Sequence, residues 1–412
     1  MIFIDMPEVP SAAIGFITKV GQRDGGLDKY EIAHVLEHLV FDGTRQFPRR
    51  QDLSVAIDEI GAEFDGSTYE EFTSYCLKTG PRNFPRAALL LSEIILRPLL
   101  LNSQLEKEKK VIFQELNLRE DDPIIKITDS LQETVFPGHP LGCSREKSRL
   151  SLRKLKIRDL KEFWQKKYVS KNSVLVICGD LEKQGDLHLL TKDYFDDLTR
   201  GKPSVIETVP KEKKAKVNLI HKRTSQVHLA LGGRSYPLSD SRIYAAKLLD
   251  LILGHSFSSR LFQEIRERRK LAYAVFSSVD FYQDTGVYSI YAGVDQKAVK
   301  EAVQAILKEL KKIVRNRSGR ITSEELTKAK NCLRGRMAVQ LDDPVRQIMF
   351  YGRRLLFYKE TLSPEDLIEK YERVSLAEVI EVAKDLFRPE KLNLVVMGQG
   401  VEEKKLEKLL RK

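Results

Sequence analysis

The sequence predicts an α+β protein of two homologous domains, each an antiparallel-rich mixed β-sheet packed with helices, the two related by internal duplication. Three observations lead there. At 412 residues the chain exceeds one ordinary core and suits two domains of about 200 residues each. The segment RDLKEFWQKKYVSKNSVLVICG at 158–179 is mirrored by LAEVIEVAKDLFRPEKLNLVVMG at 376–398. In both, an amphipathic helix, an aromatic residue, a basic polar turn and a strand ending in glycine follow one another, and such long-period self-similarity is a mark of duplication. The strand-like AAIGFITKV at 12–20 likewise has a counterpart in VHLALGG at 227–233, and after each the order of helix, paired strands and long helices repeats.

In the first half, a polar turn follows the opening strand and a helix is expected over residues 27–41. A short helix over 52–59 ends at Gly61, and residues 62–79, rich in Thr, Tyr and Phe, read as paired strands. Long helical patterns run over 85–96 and 103–119, the second stopped by Pro123. Helices over 126–134 and 157–168 and a buried strand over 173–178 complete this half. Residues 200–214 hold Gly201, Pro203, Pro210 and a lysine run, the composition of a linker. The expected domains are therefore 1–199 and 215–412. In the second half, paired strands are expected over 272–282 and 286–293, then long helices and the closing helix and strand.

The composition, 42% hydrophobic and 31% charged, is that of a globular chain. The longest apolar stretch, at 87–101, is cut by Ser92, Glu93, Arg97 and Pro98, short of the ~20 residues a bilayer requires. MIFIDMPEVP lacks the basic-then-apolar order of a secretory signal, so a cytoplasmic location is expected. Cys76, Cys143, Cys178 and Cys332 show no CxxC spacing and read as reduced thiols. The net charge of +11 raises the question of nucleic acid. Its densest basic stretch, KEKKAKVNLIHKR at 211–223, has no interleaved aromatics on which bases could stack, so nucleic-acid binding is not expected.

Residues 34–38 read HVLEH and place two of the seven histidines one helical turn apart. Positions i and i+4 share a helix face, so His34 and His38 can present two imidazoles to one point. Zinc accepts neutral imidazole nitrogens, and a catalytic site pairs three protein ligands with one open position. Glu37 borders the same face and could take a proton from a zinc-bound water without being a ligand. From the residues alone the third ligand stays open among Glu106, Glu108, Glu115 and Glu120.

HVLEHLVFDGT at 34–44 resembles the HFLEHMLFKGT signature of the inverzincin zinc peptidases, the pitrilysin or insulinase family. EKEKKVIFQELNLREDDP at 106–123 resembles the family's helix carrying the third ligand, which matches Glu115. A second family glutamate matches Glu108, two turns earlier on the same face and placed to support a ligand. GAEFDGSTYEEFTSY at 61–75 is similar to the family's active-site edge strand, FPGHPLG at 136–142 to its HPLG turn, and SSRLFQEIRERRKLAYAVFSS at 258–278 to its C-terminal signature. In that last signature an arginine and a tyrosine that reach the substrate match Arg266 and Tyr273. Three departures stand out: the family's N-terminal strand is absent or shortened, Glu31 replaces a common glycine three residues before the first histidine, and Asp65-Gly66 replaces Asn-Ala. His139, His188, His221, His228 and His255 receive no role.

The resemblance implies one zinc ion per chain held by His34, His38 and Glu115. It further implies Glu37 as the base that activates water, Arg266 and Tyr273 as substrate and oxyanion contacts, and Glu108 behind the ligands. The implied function is a metalloendopeptidase acting on peptides or unstructured segments inside a closed chamber, which the C-terminal domain completes. The length resembles the short two-domain members, including mitochondrial processing peptidase subunits and bacterial homologues, in which two chains form the chamber. Both residue sets are kept here, so a homodimer is expected, with a heterodimer with a homologue as the alternative. A catalytically silent partner subunit is the competing functional expectation. No nucleic-acid or membrane partner is expected.

Overall fold

The computed structural model describes residues 1–182, 187–212, 214–315 and 319–410. Lys213, within the expected linker, and the His188 side chain lie outside the described residues. Among the described residues ten strands form two five-stranded mixed sheets. The first joins β1 (Ile2–Asp5), β2 (Ala12–Thr18), β3 (Glu63–Thr68), β4 (Thr73–Thr79) and β5 (Ser173–Gly179) in the order β1-β5-β2-β4-β3. The second joins β6 (Val217–Ile220), β7 (Val227–Ser235), β8 (Ala272–Phe281), β9 (Gly286–Val294) and β10 (Asn393–Met397) in the order β6-β10-β7-β9-β8. Strand for strand the two orders are the same. In each only the first edge strand pairs in parallel, β1 on β5 and β6 on β10. That shared topology supports the duplication read from the two helix-strand segments.

β2 shows how the sequence builds the first sheet. AAIGFIT is buried throughout, because successive side chains point to opposite faces and both faces are covered. Ala12, Ile14 and Phe16 join the larger core with the helices Ile32–Leu39 and Phe84–Leu96, whereas Ala13 and Ile17 face Ile348 on the helix Pro344–Tyr358. Gly15 makes that second contact possible, since a Cβ there would collide with Ile348.

The chain forms two compact units, and they do not follow the expected 1–199 and 215–412 division. One comprises Met1–Asn117, Arg145–Glu207 and Met337–Leu362, the other Leu118–Ser144, Thr208–Arg336 and Ser363–Lys412. The switch between Glu207 and Thr208 does fall within residues 200–214. The remainder differs because each sheet takes one covering helix from the other half of the sequence. Pro123–Val135 packs Ile127, Leu131 and Val135 on the second sheet, and Pro344–Tyr358 packs on β2 and β5 of the first. Both follow an Asp-Asp-Pro sequence, and in both the aspartate before proline caps the helix by accepting from two first-turn amides. Apolar spacing sets which face of these helices is buried but not which sheet receives it.

β1 was not expected as a strand. Its apolar run, Ile2-Phe3-Ile4, is shorter than the five-residue run Val174–Cys178 of β5 and only half-buried at a sheet edge. Among the described residues no helix is long and apolar enough to cross a membrane. None of the four cysteines is in a disulfide. Burial pushes the Cys76 and Cys178 thiols up to about 12, whereas Cys143 and Cys332 are partly exposed. Because the thiolate is the reactive form, iodoacetamide at neutral pH is expected to modify Cys143 and Cys332 alone until the protein is unfolded. Peptide mapping checks this, and equal labelling of Cys76 or Cys178 in the folded protein would contradict the packing described.

Candidate metal centre

The helix Ile32–Leu39 buries Ile32, Ala33, Val35, Leu36 and Leu39 in the core. That pattern leaves His34, Glu37 and His38 together on the other face, only partly buried, as positions i, i+3 and i+4 require. Among the described residues these three form a group whose candidate ligand atoms lie within 4.8 Å of one another. The long helix Asn102–Asp121 brings two glutamates to the same place. Oε2 of Glu115 lies 3.4 Å from His34 Nε2 and 3.7 Å from His38 Nε2. Two donors bound to one tetrahedral ion at about 2.1 Å would be about 3.4 Å apart, so the spacing fits a shared zinc.

The other nitrogen of each imidazole is also taken. His38 Nδ1 lies 2.9 Å from Glu108 Oε2, and His34 Nδ1 lies 3.0 Å from Glu31 Oε2. A carboxylate has no proton to offer, so each Nδ1 donates, which leaves each Nε2 as the nitrogen that would face an ion, the ion displacing any proton held there. Arg50 Nη1 donates to Glu108 Oε1 at 3.1 Å and to Asp42 Oδ1 at 3.1 Å, tying Glu108 in place. The donor set of two imidazoles and one carboxylate thus fits the zinc that the sequence implied.

Electrostatics follow from these contacts. Burial alone would lower the His34 imidazole, but the bonds to Glu115 and Glu31 outweigh it and raise it to about 10. The hydrogen bond from His38 holds Glu108 below the usual carboxylate range. Burial raises Glu37, against the opposing pull of the two histidines, making it a stronger proton acceptor. Glu37 rests on β3. Thr68 Oγ1 is 3.5 Å from its Oε2, and a Cβ at Gly66 would stand only 2.8 Å from its Oε1. Gly66, a departure from the family pattern, therefore lets the carboxylate lie directly against the strand.

Arg266 and Tyr273 belong to the second compact unit, where they meet each other. The Arg266 guanidinium lies over the Tyr273 ring at 5.0 Å and over the Phe262 ring at 4.8 Å, and Tyr273 is 76% exposed. Arg266 stands on the π-helical segment Phe262–Arg268 and Tyr273 on β8. Three of the histidines without a role have structural partners: His139 Nδ1 accepts the Leu141 amide, His228 Nδ1 bonds the Tyr291 hydroxyl, and His255 Nδ1 lies 3.4 Å from the Ser277 carbonyl oxygen. Sequence reading missed the contributions of Glu31, Arg50 and Asp42. The only signal was Glu31's departure from the family pattern, while Arg50 and Asp42 looked like ordinary surface charges.

Comparison with known proteins gives the family. The family described as "Insulinase (Peptidase family M16)" matches residues 1–149, and "Peptidase M16 inactive domain" matches residues 154–333. An "uncharacterized zinc protease" of Mycobacterium bovis is 30% identical over 414 residues, covering 98% of this chain and 92% of the relative. An "uncharacterized zinc protease YmxG" of Bacillus subtilis is 28% identical, with 92% of this chain and 91% of the relative covered. A crystal structure of a protease from Helicobacter pylori superposes with a TM-score of 0.86 at 24% identity, covering 96% of each chain. A peptidase M16 inactive domain from Pseudomonas fluorescens superposes with a TM-score of 0.87 at 20% identity, covering 97% of this chain and 96% of that one. These two structures speak to the fold alone, whereas the family matches and the mycobacterial relative span the metal motif as well. With both halves matched and the two-histidine, one-glutamate cluster in the first, the chain belongs to the insulinase family, peptidase family M16.

Proposed function

We propose that this protein is a zinc-dependent metalloendopeptidase that hydrolyses peptides or unstructured protein segments. The observation that carries the proposal is the single Glu115 oxygen set 3.4 and 3.7 Å from two imidazole nitrogens whose ring partners are already occupied. Zinc bound there would act as a Lewis acid on water and on the peptide carbonyl, bringing the pKa of water to about 7.

His34, His38 and Glu115 would hold the ion, leaving a position open as catalytic three-ligand sites do. Glu37 takes the proton from the attacking water and passes it to the leaving amine, a role its burial-strengthened basicity suits. β3 pairs only with β4 and ends the sheet, so its outer backbone groups can pair with an extended substrate beside Glu37. Arg266 can donate to a substrate carbonyl and the Tyr273 hydroxyl can stabilise the oxyanion. Following the short family members, we propose that two copies of this chain form the working chamber.

The test is cleavage of an unstructured peptide by purified protein with and without a chelator. Hydrolysis should stop on chelation and return with zinc. Chelator-resistant cleavage would overturn the metal reading, and no cleavage by zinc-loaded protein would favour the silent-subunit alternative.

A further inference from the structure

Glu31 sits at the N-cap of the helix that carries the metal motif, yet its side chain makes no cap bond to that helix. The short N-cap side chains, Asp, Asn, Ser and Thr, accept from the first-turn amides, which the longer Glu31 does not do here. Here the carboxylate, 1% exposed, turns elsewhere: Oε2 meets His34 Nδ1 at 3.0 Å and Oε1 accepts the Ser148 hydroxyl at 2.5 Å. The Glu31 backbone N–H is itself held by Ser151 Oγ at 3.0 Å. Ser148 and Ser151 are both buried on the helix Arg145–Lys154, so a second element anchors the residue from both ends.

We infer that Glu31 is a positioning residue of the metal centre, holding His34 with Nε2 presented to the ion and strengthening that nitrogen as a donor. The inference rests on the zinc reading above. The glycine common in the family at this position has no side chain with which to do this, so the device belongs to this chain. Its logic matches that of Glu108 and His38 on the other imidazole, and each histidine thereby gains its own carboxylate. Burying a carboxylate is costly unless hydrogen bonds satisfy it. Both oxygens of Glu31 are engaged, and one of those engagements is with a proposed ligand. Outer carboxylates of this kind alter metal affinity by roughly 10–100-fold.

The experiment measures the zinc dissociation constant by competition with a chromogenic chelator, on the full-length protein and its Glu31→Gly, Glu31→Gln and Ser148→Ala variants. Glycine should weaken zinc binding by roughly 10–100-fold. Glutamine keeps an acceptor for His34 Nδ1 and a partner for Ser148, so it should recover most of the loss. Ser148→Ala frees one carboxylate oxygen and should weaken binding in the same direction by less. Melting in excess chelator separates a merely structural role, which would lower the midpoint without moving the zinc constant. Unchanged zinc binding in Glu31→Gly and Ser148→Ala overturns this inference and leaves the peptidase reading intact. A wild-type protein that binds no zinc overturns both. If the glycine variant does not fold, Ser148→Ala decides in its place, and unchanged zinc binding in it overturns the inference.

Discussion

Glu37→Gln is expected to lower kcat/KM for peptide hydrolysis by about 10²- to 10⁴-fold while zinc stays bound. Glutamine keeps the volume and the contact with Thr68, but cannot take a proton. The loss corresponds to about 3–5 kcal/mol of transition-state stabilisation, at 1.36 kcal/mol per decade. Zinc content must be measured on the same sample, because Glu37 lies within 4.8 Å of both histidines and a ligand role has to be told apart from a base. A variant that loses metal and activity together would make Glu37 a ligand. One that keeps full activity would remove it from the chemistry. The assigned role also explains why burial of this carboxylate is tolerated, since the raised basicity is useful to a group that must accept a proton at neutral pH.

Glu115→Ala should abolish tight zinc binding, with a loss exceeding the ~100-fold typical of an outer partner. Its side chain is 39% exposed, so the substitution should cost the fold little by itself. Zinc stabilises the folded protein by about 4.1 kcal/mol when its free concentration is 1,000 times the dissociation constant. The wild-type melting temperature should therefore rise on adding zinc, and that of Glu115→Ala should not. Calorimetry with and without zinc reads this directly. A zinc-induced rise in the variant as large as in the wild type would remove Glu115 from the ligand set and leave the two histidines without their third partner.

These experiments probe contacts of different legibility. The pairing of His34 with His38 is a local matter: helical geometry puts i and i+4 on one face, and the buried positions Val35, Leu36 and Leu39 leave no other face to them. Arg266 and Tyr273 also lie close in sequence, on consecutive elements, and they meet as the π-helical turn passes into β8. The duplication was legible for a similar reason, because the helix-strand segments at 158–179 and 376–398 keep their local pattern.

The third ligand was not legible from the residues alone. Four glutamates share the charged helix that supplies it, and only the family resemblance singled out Glu115 before the structure brought its oxygen between the two imidazoles. Glu31 is the sharper case. In the sequence it stands out only as a departure from the family's glycine, with no role attached, and it becomes a buried partner of His34 because the helix Arg145–Lys154 covers it and offers Ser148.

By itself the sequence determined the helix of the metal motif, the long helices that follow the paired strands, the paired strands themselves, the repeat and the face on which two histidines stand, since each follows from side-chain periodicity over a few turns, but not the helix Arg145–Lys154. The tertiary structure alone decided which sheet received the helices after the two Asp-Asp-Pro sequences, that Ile2–Asp5 would add a parallel edge strand, and which carboxylates would reach the imidazoles. Those outcomes depend on contacts between residues far apart in the chain. Local propensity has no term for them, and burial and shape complementarity settle them only once all the elements are in place.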